Sequence, residues 1–291
     1  MNKKIAIIDD EQDILDILEK FLSRSEKFDI VTFTNPKVGL EALRTGSFDL
    51  VLLDIMMPQM SGLDVLKEIK KDNLNVKAIM MTAYSTLDKV IESNKTGAED
   101  YVTKPFRSIE LLARVKTHLK LSQTINELNH LASHDVMTNI YNRRKFFELG
   151  ENLCKKQDDN TYVVMVDIDK FKNVNDTYGH PFGDVVIKLL ASTVSENLPP
   201  ELIFGRIGGE EFAIIGLMDS SNKVSQIIEN IRKIVESLEP KTEDGQIVKF
   251  TISSGIAVIK ENDTLDSILK SSDDALYEAK DTGRNKTCFR V

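Results

Sequence analysis

The sequence predicts a doubly wound parallel α/β domain joined by a long helix to an α+β domain. Three observations predict it. Over the first 105 residues, short apolar runs alternate with amphipathic stretches, the rhythm of a parallel sheet with crossover helices. From Phe106 to about Ser133 there is neither glycine nor proline, and apolar residues recur at three- and four-residue steps. Beyond Asn160, helical stretches are mixed with apolar runs in close pairs, which reads as hairpins and helices in one layer.

In the first domain the candidate strands are Ile5–Ile8, Ile30–Phe33, Leu50–Leu53, Ala78–Met81 and Tyr101–Val102, each followed by a helical stretch. The first such stretch carries Ile14, Leu15, Leu18, Phe21 and Leu22 at helical spacing. In open parallel sheets function collects at the carboxyl ends of the strands. Asp9 and Asp10 end the first run, Asp54 the third, Thr82 the fourth, and Lys104 with Pro105 the fifth. All four groups are therefore expected on one rim.

The connecting helix carries Leu112, Val115 and Leu119, then Leu121, Ile125, Leu128 and Ala132. This seam is short and changes register between Leu119 and Leu121, which allows two alternative pairings with a second chain. Packing of the helix on its own domain is the other reading, stronger for the first half than for the second. The expected organisation is a first domain at 1–120, a helical linker and candidate coiled coil at 121–133, and a second domain at 134–291.

The second domain reads as a strand (162–167), a helix (183–198), a hairpin (202–217), a helix (223–239), a hairpin (247–259), a helix (265–281) and a last strand (287–291). Asp158–Asn160 reads as a turn. Gly208-Gly209-Glu210-Glu211 interrupts the first hairpin: the glycines allow a tight turn and a close approach to the backbone, and the glutamates need a cation or water. A second acidic pair, Asp167 and Asp169, closes the run Tyr162–Val166. Carboxylates at the ends of neighbouring strands can hold Mg²⁺ against phosphates, so the two clusters together point to a metal–nucleotide site.

The Gly-Gly-Glu-Glu-Phe stretch (208–212), with Asp-Ile-Asp-Lys-Phe-Lys-Asn-Val-Asn-Asp (167–176) upstream, resembles the GGDEF domain of the diguanylate cyclase family. His134–Thr138 with Asn142-Arg143-Arg144, and Ala279–Asn285, agree with the same family in the same order. The resemblance implies an α+β cyclase-palm-like domain that condenses two GTP into cyclic di-GMP. It assigns Asp167, Glu210 and the Ile168 carbonyl to Mg²⁺ (or Mn²⁺ in its place), and Glu210 also to proton acceptance. Glu211 is open between metal contact and a structural hydrogen bond. Lys172, Lys280 and Arg284 are the phosphate partners it implies, Lys172 also counting with the catalytic set. Asn175 and Asp184 match its guanine-contacting positions and His180 a further substrate-contacting one. On the bottom-up reading, helix caps are the alternative for Asn175 and Asp184.

The first domain is similar to the receiver domain of two-component response regulators. That resemblance makes Asp54 the phosphoacceptor, with Asp9, Asp10 and the Met56 carbonyl around Mg²⁺. Lys104 would pair with the phosphoryl group, and Thr82 and Tyr101 would be switch residues. An upstream sensor histidine kinase is the implied partner. One GGDEF domain holds one GTP, so a homodimer through receiver and linker helix is expected. The alternative function is a catalytically silent GGDEF module that senses a nucleotide and binds a partner protein.

Composition bounds these readings. A hydrophobic content of 41% with 29% charged residues describes a soluble globular chain, and 291 residues suffice for two cores. The net charge of −8 divides into −1 for residues 1–124 and −7 for 125–291, the wrong sign for a nucleic-acid-binding output domain. No run approaches the ~20 apolar residues of a spanning helix. Cys154 and Cys288 suit reduced thiols, so a cytoplasmic protein is expected, without nucleic acid or membrane as partner. One departure stands out. Many diguanylate cyclases carry an Arg-x-x-Asp product site whose arginine lies nine residues before the signature, and here that window reads Pro199-Pro200-Glu201-Leu202. No arginine occurs between Arg144 and Arg206.

Overall fold

Two units make up the chain, residues 1–127 and 128–291. The computed structural model describes residues 2–25, 28–83, 97–156, 158, 160–260 and 262–290. The helical stretch expected after the fourth strand falls largely on 84–96, outside the described residues.

In the first unit, strands β1 (Lys3–Ile8), β2 (Phe28–Phe33), β3 (Leu50–Asp54), β4 (Lys77–Ala83) and β5 (Asp100–Lys104) form a parallel sheet in the order β2-β1-β3-β4-β5. Helices α1 (Gln12–Ser25), α2 (Pro36–Thr45) and α3 (Gly62–Lys71) lie between strands in sequence. Residue parity decides which core each side chain joins. Ala6, Ile8, Val51, Leu53, Ala78 and Met80 pack with Leu40, Leu43, Leu66 and Ile69. Ile5, Ile7, Leu50, Leu52, Ile79 and Met81 pack with Leu15, Leu18 and Leu22. Local chemistry starts the helices where they start. Asn35 Oδ1 accepts from Lys37 N–H and Val38 N–H beside Pro36 in the first turn of α2, and Ser61 caps α3 through Asp64 N–H.

Helix α4 (Ser108–Ser133) runs unbroken, and the division between units falls within it. Its two halves differ. Leu111, Val115 and Leu119 are buried in the first unit's core, whereas Leu121, Ile125 and Leu128 are 44–58% exposed. The first half therefore packs on its own domain, and an apolar seam remains bare only beyond Leu119.

The second unit contains β6 (Tyr141–Asn142), α5 (Arg143–Cys154), β7 (Thr161–Ile168), α6 (Phe171–Tyr178), α7 (His180–Asn197), β8 (Ile203–Arg206), β9 (Glu211–Leu217), α8 (Ser221–Ser237), β10 (Ile252–Val258), α9 (Leu265–Asp281) and β11 (Thr287–Arg290). The sheet order is β11-β10-β7-β9-β8-β6, with β7 antiparallel to both β9 and β10. The hairpin expected at 247–259 is a single strand. Residues 247–251 run outside the sheet, where Val248 N–H donates to the Pro240 carbonyl and Val248 and Phe250 fill the core, and β10 starts only at Ile252. Two helices went unpredicted. Helix α5 is capped by Asn142, whose Oδ1 accepts from Lys145 N–H, and the short α6 follows a left-handed Lys170 at φ +54°. Cys154 and Cys288 are both free thiols.

Candidate functional site

The first unit gathers its acids at the carboxyl ends of β1 and β3. Asp9 (0% exposed), Asp10 and Asp54 (5% exposed) bring carboxylate oxygens within 4.8 Å of one another. Lys104, at the end of β5, reaches both buried acids: its Nζ lies 2.7 Å from Asp9 Oδ2 and 3.2 Å from Asp54 Oδ1. Burial pushes the Asp54 carboxyl up to about 6, against the pull of Lys104 and with a further push from Asp9. Burial works against the charge on Lys104, yet Asp9 and Asp54 outweigh it and hold the ammonium above its usual range. Gly62 is needed at the rim, because a Cβ there would sit 2.1 Å from the Asp54 carbonyl oxygen. Thr82 is buried on β4, and Tyr101 packs partly buried against the core on β5. Met56 lies two residues past Asp54 with an exposed side chain. This set of hard oxygen donors around excess negative charge suits a divalent cation.

In the second unit, the interior strand β7 carries Asp167 next to its carboxyl end, 6% exposed. The residue directly opposite it on β9 is Glu211, while Glu210 sits half-buried in the turn before that strand. The turn closes through Ile207 N–H and Gly208 N–H, both donating to the Glu211 carbonyl. Phe212 anchors it: the ring is fully buried and stacks on Phe204 at 5.8 Å. Loss of such a ring from a packed core costs ~3–5 kcal/mol.

Lys280, in the last turn of α9, places Nζ 2.8 Å from Asp167 Oδ1. Burial pushes the Asp167 carboxyl up to about 6; Lys280 opposes this, and Glu210 and Glu211 add to it. Among the described residues, no three acids of this unit come as close together as Asp9, Asp10 and Asp54 do. The donor set, the buried Asp167 carboxylate with the half-buried Glu210 and exposed Glu211 beside it, nevertheless fits a hard cation, which Asp167, Glu210 and the Ile168 carbonyl could hold.

Asn175 lies within α6 and Asp184 in the second turn of α7, so neither is a cap. Asn175 Oδ1 is buried and without a hydrogen-bond partner. Gly183 makes the room beside it, since a Cβ there would lie 1.9 Å from that oxygen. Lys172 and His180 are exposed at the starts of α6 and α7, and neither helix has a side-chain cap. Arg284, at φ +65°, lines a cleft of about 490 Å³ with Lys170, Asn173 and Lys249.

Three residues matter here that sequence reasoning did not assign. Arg206 donates from Nε and Nη2 to the Gly209 carbonyl (3.1 and 2.7 Å) and from Nη1 to Asp135 Oδ1 (3.1 Å). It thereby ties the glycine turn to the segment that follows α4. Burial works against the charge on Asp135, but Thr138 and Arg206 outweigh it and hold the carboxyl below its usual range. Asp169, paired with Asp167 in the sequence, has both oxygens engaged: Oδ2 accepts from Thr251 Oγ1 and Oδ1 from Ser253 Oγ, each at 2.7 Å. Asp135 and Asp169 lie inside the motifs, Asp169 within the acidic pair itself, and Arg206 stands two residues before Gly208; in each case the sequence marked the position but not the partners.

Comparison with known proteins bears on both units. The family described as diguanylate cyclase, GGDEF domain, matches residues 132–286, and the response regulator receiver domain matches residues 5–116. The chain is similar to the response regulator PleD of Caulobacter vibrioides, 30% identical over 82% of this chain and 56% of that protein. It is also similar to the probable diguanylate cyclase DgcT of Escherichia coli, 36% identical over 63% of this chain and 42% of that one. Among solved structures, the coiled coil and GGDEF domain of DgcB from Caulobacter crescentus, in complex with c-di-GMP, matches with 30% identity and a TM-score of 0.58 over 63% of this chain and 100% of that one. The chain spans about half the length of the curated relatives it matches.

Proposed function

Because this chain belongs to the GGDEF diguanylate cyclase family and carries a receiver domain before that module, we propose that it is a phosphorylation-regulated diguanylate cyclase. It would condense two GTP into cyclic di-GMP and two pyrophosphates. The observation that carries the reading is the buried, unpartnered Asn175 Oδ1 beside Gly183. Guanine presents adjacent N–H donors on its Watson–Crick edge, and the Asn175 side-chain oxygen is an acceptor with no partner of its own. Asp184, one residue on, supplies the second acceptor, and His180 contacts the substrate at the helix start.

In each of two equivalent steps, a GTP 3′-hydroxyl attacks the α-phosphorus of the other GTP. A P–O bond forms to that hydroxyl oxygen, the bond to the bridging oxygen breaks, and pyrophosphate leaves. Glu210 accepts the hydroxyl proton. Lys172, Lys280 and Arg284 offset phosphate charge on a unit that is otherwise strongly acidic, helped by the uncapped N-terminus of α6. Mg²⁺ or Mn²⁺ held by Asp167, Ile168 and Glu210 would neutralise the phosphates and acidify the attacking hydroxyl. Glu211 either contributes to that set or steadies the turn.

One unit holds one GTP, so two must face each other. The exposed seam Leu121–Leu128 of α4 suits pairing of two copies, and the receiver, phosphorylated on Asp54 by a sensor histidine kinase, would bias how they meet. Lys104, Thr82 and Tyr101 transmit that change. No helix among the described residues is long and apolar enough to cross a membrane. The free thiols Cys154 and Cys288 support our assignment of the protein to the cytoplasm. Incubation with GTP and Mg²⁺, with and without beryllofluoride, followed by nucleotide chromatography tests the reading. Cyclic di-GMP rising with beryllofluoride is expected; bound but unconverted GTP would overturn it.

A further inference from the structure

Among the described residues, five charged side chains are buried: Asp9, Asp54, Asp167, Asp169 and Arg232. The first three belong to the two candidate metal sets. Arg232 stands apart, on α8 and outside every motif. All three nitrogens of its guanidinium donate hydrogen bonds. Nε and Nη2 donate to the two oxygens of Glu229 (2.9 and 2.8 Å), and Nη1 to Glu236 Oε2 (2.8 Å) and Asn285 Oδ1 (2.6 Å). Asn285 completes the link: Nδ2 donates to Glu236 Oε1 (2.8 Å) and its backbone N–H to Asp169 Oδ2 (3.0 Å). A chain of hydrogen bonds thus runs from α8 through Asn285 to Asp169, two residues from Asp167.

What this chain holds is a turn in an unfavourable conformation. Gly283, Arg284 and Asn285 have φ of +122°, +65° and +48°. Residues with a Cβ persist there only where their surroundings over-determine it. Arg284, in the middle, lines the cleft shared with Lys170 and Lys249. The turn also ends α9, whose last turn carries Lys280.

We propose that Arg232 is a positioning residue for the triphosphate of bound GTP: through Asn285 it locks the 283–285 turn so that Arg284 faces the phosphates. The inference rests on the cyclase reading above. Glu229 and Glu236 offset the charge of Arg232 itself, so it acts through geometry rather than by attracting the nucleotide. An arginine is required because its planar fork serves three partners at once, which a lysine ammonium on a flexible stem does not.

The test uses the full chain and the variants Arg232→Lys and Asn285→Gly, each alone and with Arg284→Ala. Glycine keeps the left-handed backbone without strain, so Asn285→Gly removes only the side-chain bridge and covers the case in which Arg232→Lys does not fold. Initial rates against GTP should show KM raised at least ~fivefold with kcat changed less than ~twofold, the signature of lost ground-state binding. Neither substitution should add to the effect of Arg284→Ala, because both act through that side chain. Calorimetric affinity for guanosine, which lacks phosphates, should be unchanged. A wild-type KM, additivity with Arg284→Ala, or equal loss of guanosine binding would overturn the role. A wild-type chain that binds GTP without turnover would defeat the cyclase reading instead, and the GTP-against-guanosine comparison would still decide the role of Arg232.

Discussion

Lys280 Nζ lies 2.8 Å from Asp167 Oδ1, an ion pair between the cation proposed to meet phosphate and the carboxylate proposed to hold the metal. Lys280 holds the Asp167 pKa down against burial, and it still stands at about 6. Lys280→Met should therefore raise it further. If Asp167 holds the metal as proposed, turnover needs the ionised carboxylate, and the variant should lose proportionally more activity at pH 6.5 than at pH 8.5. A rate–pH profile parallel to that of the wild type would show that the contact does not govern the ionisation.

The receiver offers a stability test whose sign follows from the buried acid. Asp54 titrates at about 6 in the folded chain, above its ordinary value of 3.8. A raised carboxyl pKa means the folded state binds the proton more tightly, so this group costs stability as pH rises from about 4 to 6 and the cost is complete above that. Asp54→Asn should be more stable than wild type at pH 7.5 in EDTA, by up to ~3 kcal/mol at roughly 1.4 kcal/mol per pKa unit. The gain should shrink towards pH 4. Thermal unfolding across that range measures it; a gain independent of pH would exclude Asp54 ionisation as its cause. The same variant should leave GTP turnover at its resting level and abolish stimulation by beryllofluoride.

Glu210→Gln removes the carboxylate proposed both to hold the metal and to accept the proton, while keeping the shape of the side chain. A loss of turnover of at least ~100-fold is expected, on the scale of general-base effects. Retention of more than a tenth of the wild-type rate would transfer the role to Glu211.

Asp184→Ala should raise the GTP requirement and relax the preference for guanine, because it removes the acceptor proposed to meet the Watson–Crick edge. Competition between GTP and ATP reads this directly. Undiminished discrimination against ATP would remove Asp184 from the base-contacting set.

Initial rates of the beryllofluoride-activated enzyme should stay nearly flat as cyclic di-GMP is added over the low-micromolar range. The segment that could hold an arginine fork for the product reads Pro199-Pro200-Glu201-Leu202, and Glu201 repels phosphates. Strong non-competitive inhibition would point to a product site built from other residues.

The sequence alone determined the fold class, both sheets' principal strands, the unbroken helix at 108–133 and the residues gathered at the receiver rim. Those features follow from local rules: side-chain period, strand ends and residues that break helices. Tertiary structure decided the rest. It sent the first half of α4 into the first unit's core, where Leu111, Val115 and Leu119 are buried, and left Leu121, Ile125 and Leu128 bare. It made Val248 and Phe250 core residues outside the sheet rather than half of a hairpin. It also divided the pair Asp167 and Asp169, turning one carboxylate to Lys280 and the other to Thr251, Ser253 and Asn285. Strand β7 ends at Ile168 between them, and the partners that separate their roles lie more than 80 residues away in the chain. No spacing within a segment encodes a contact that exists only after β10, α9 and the 283–285 turn have packed against that strand end.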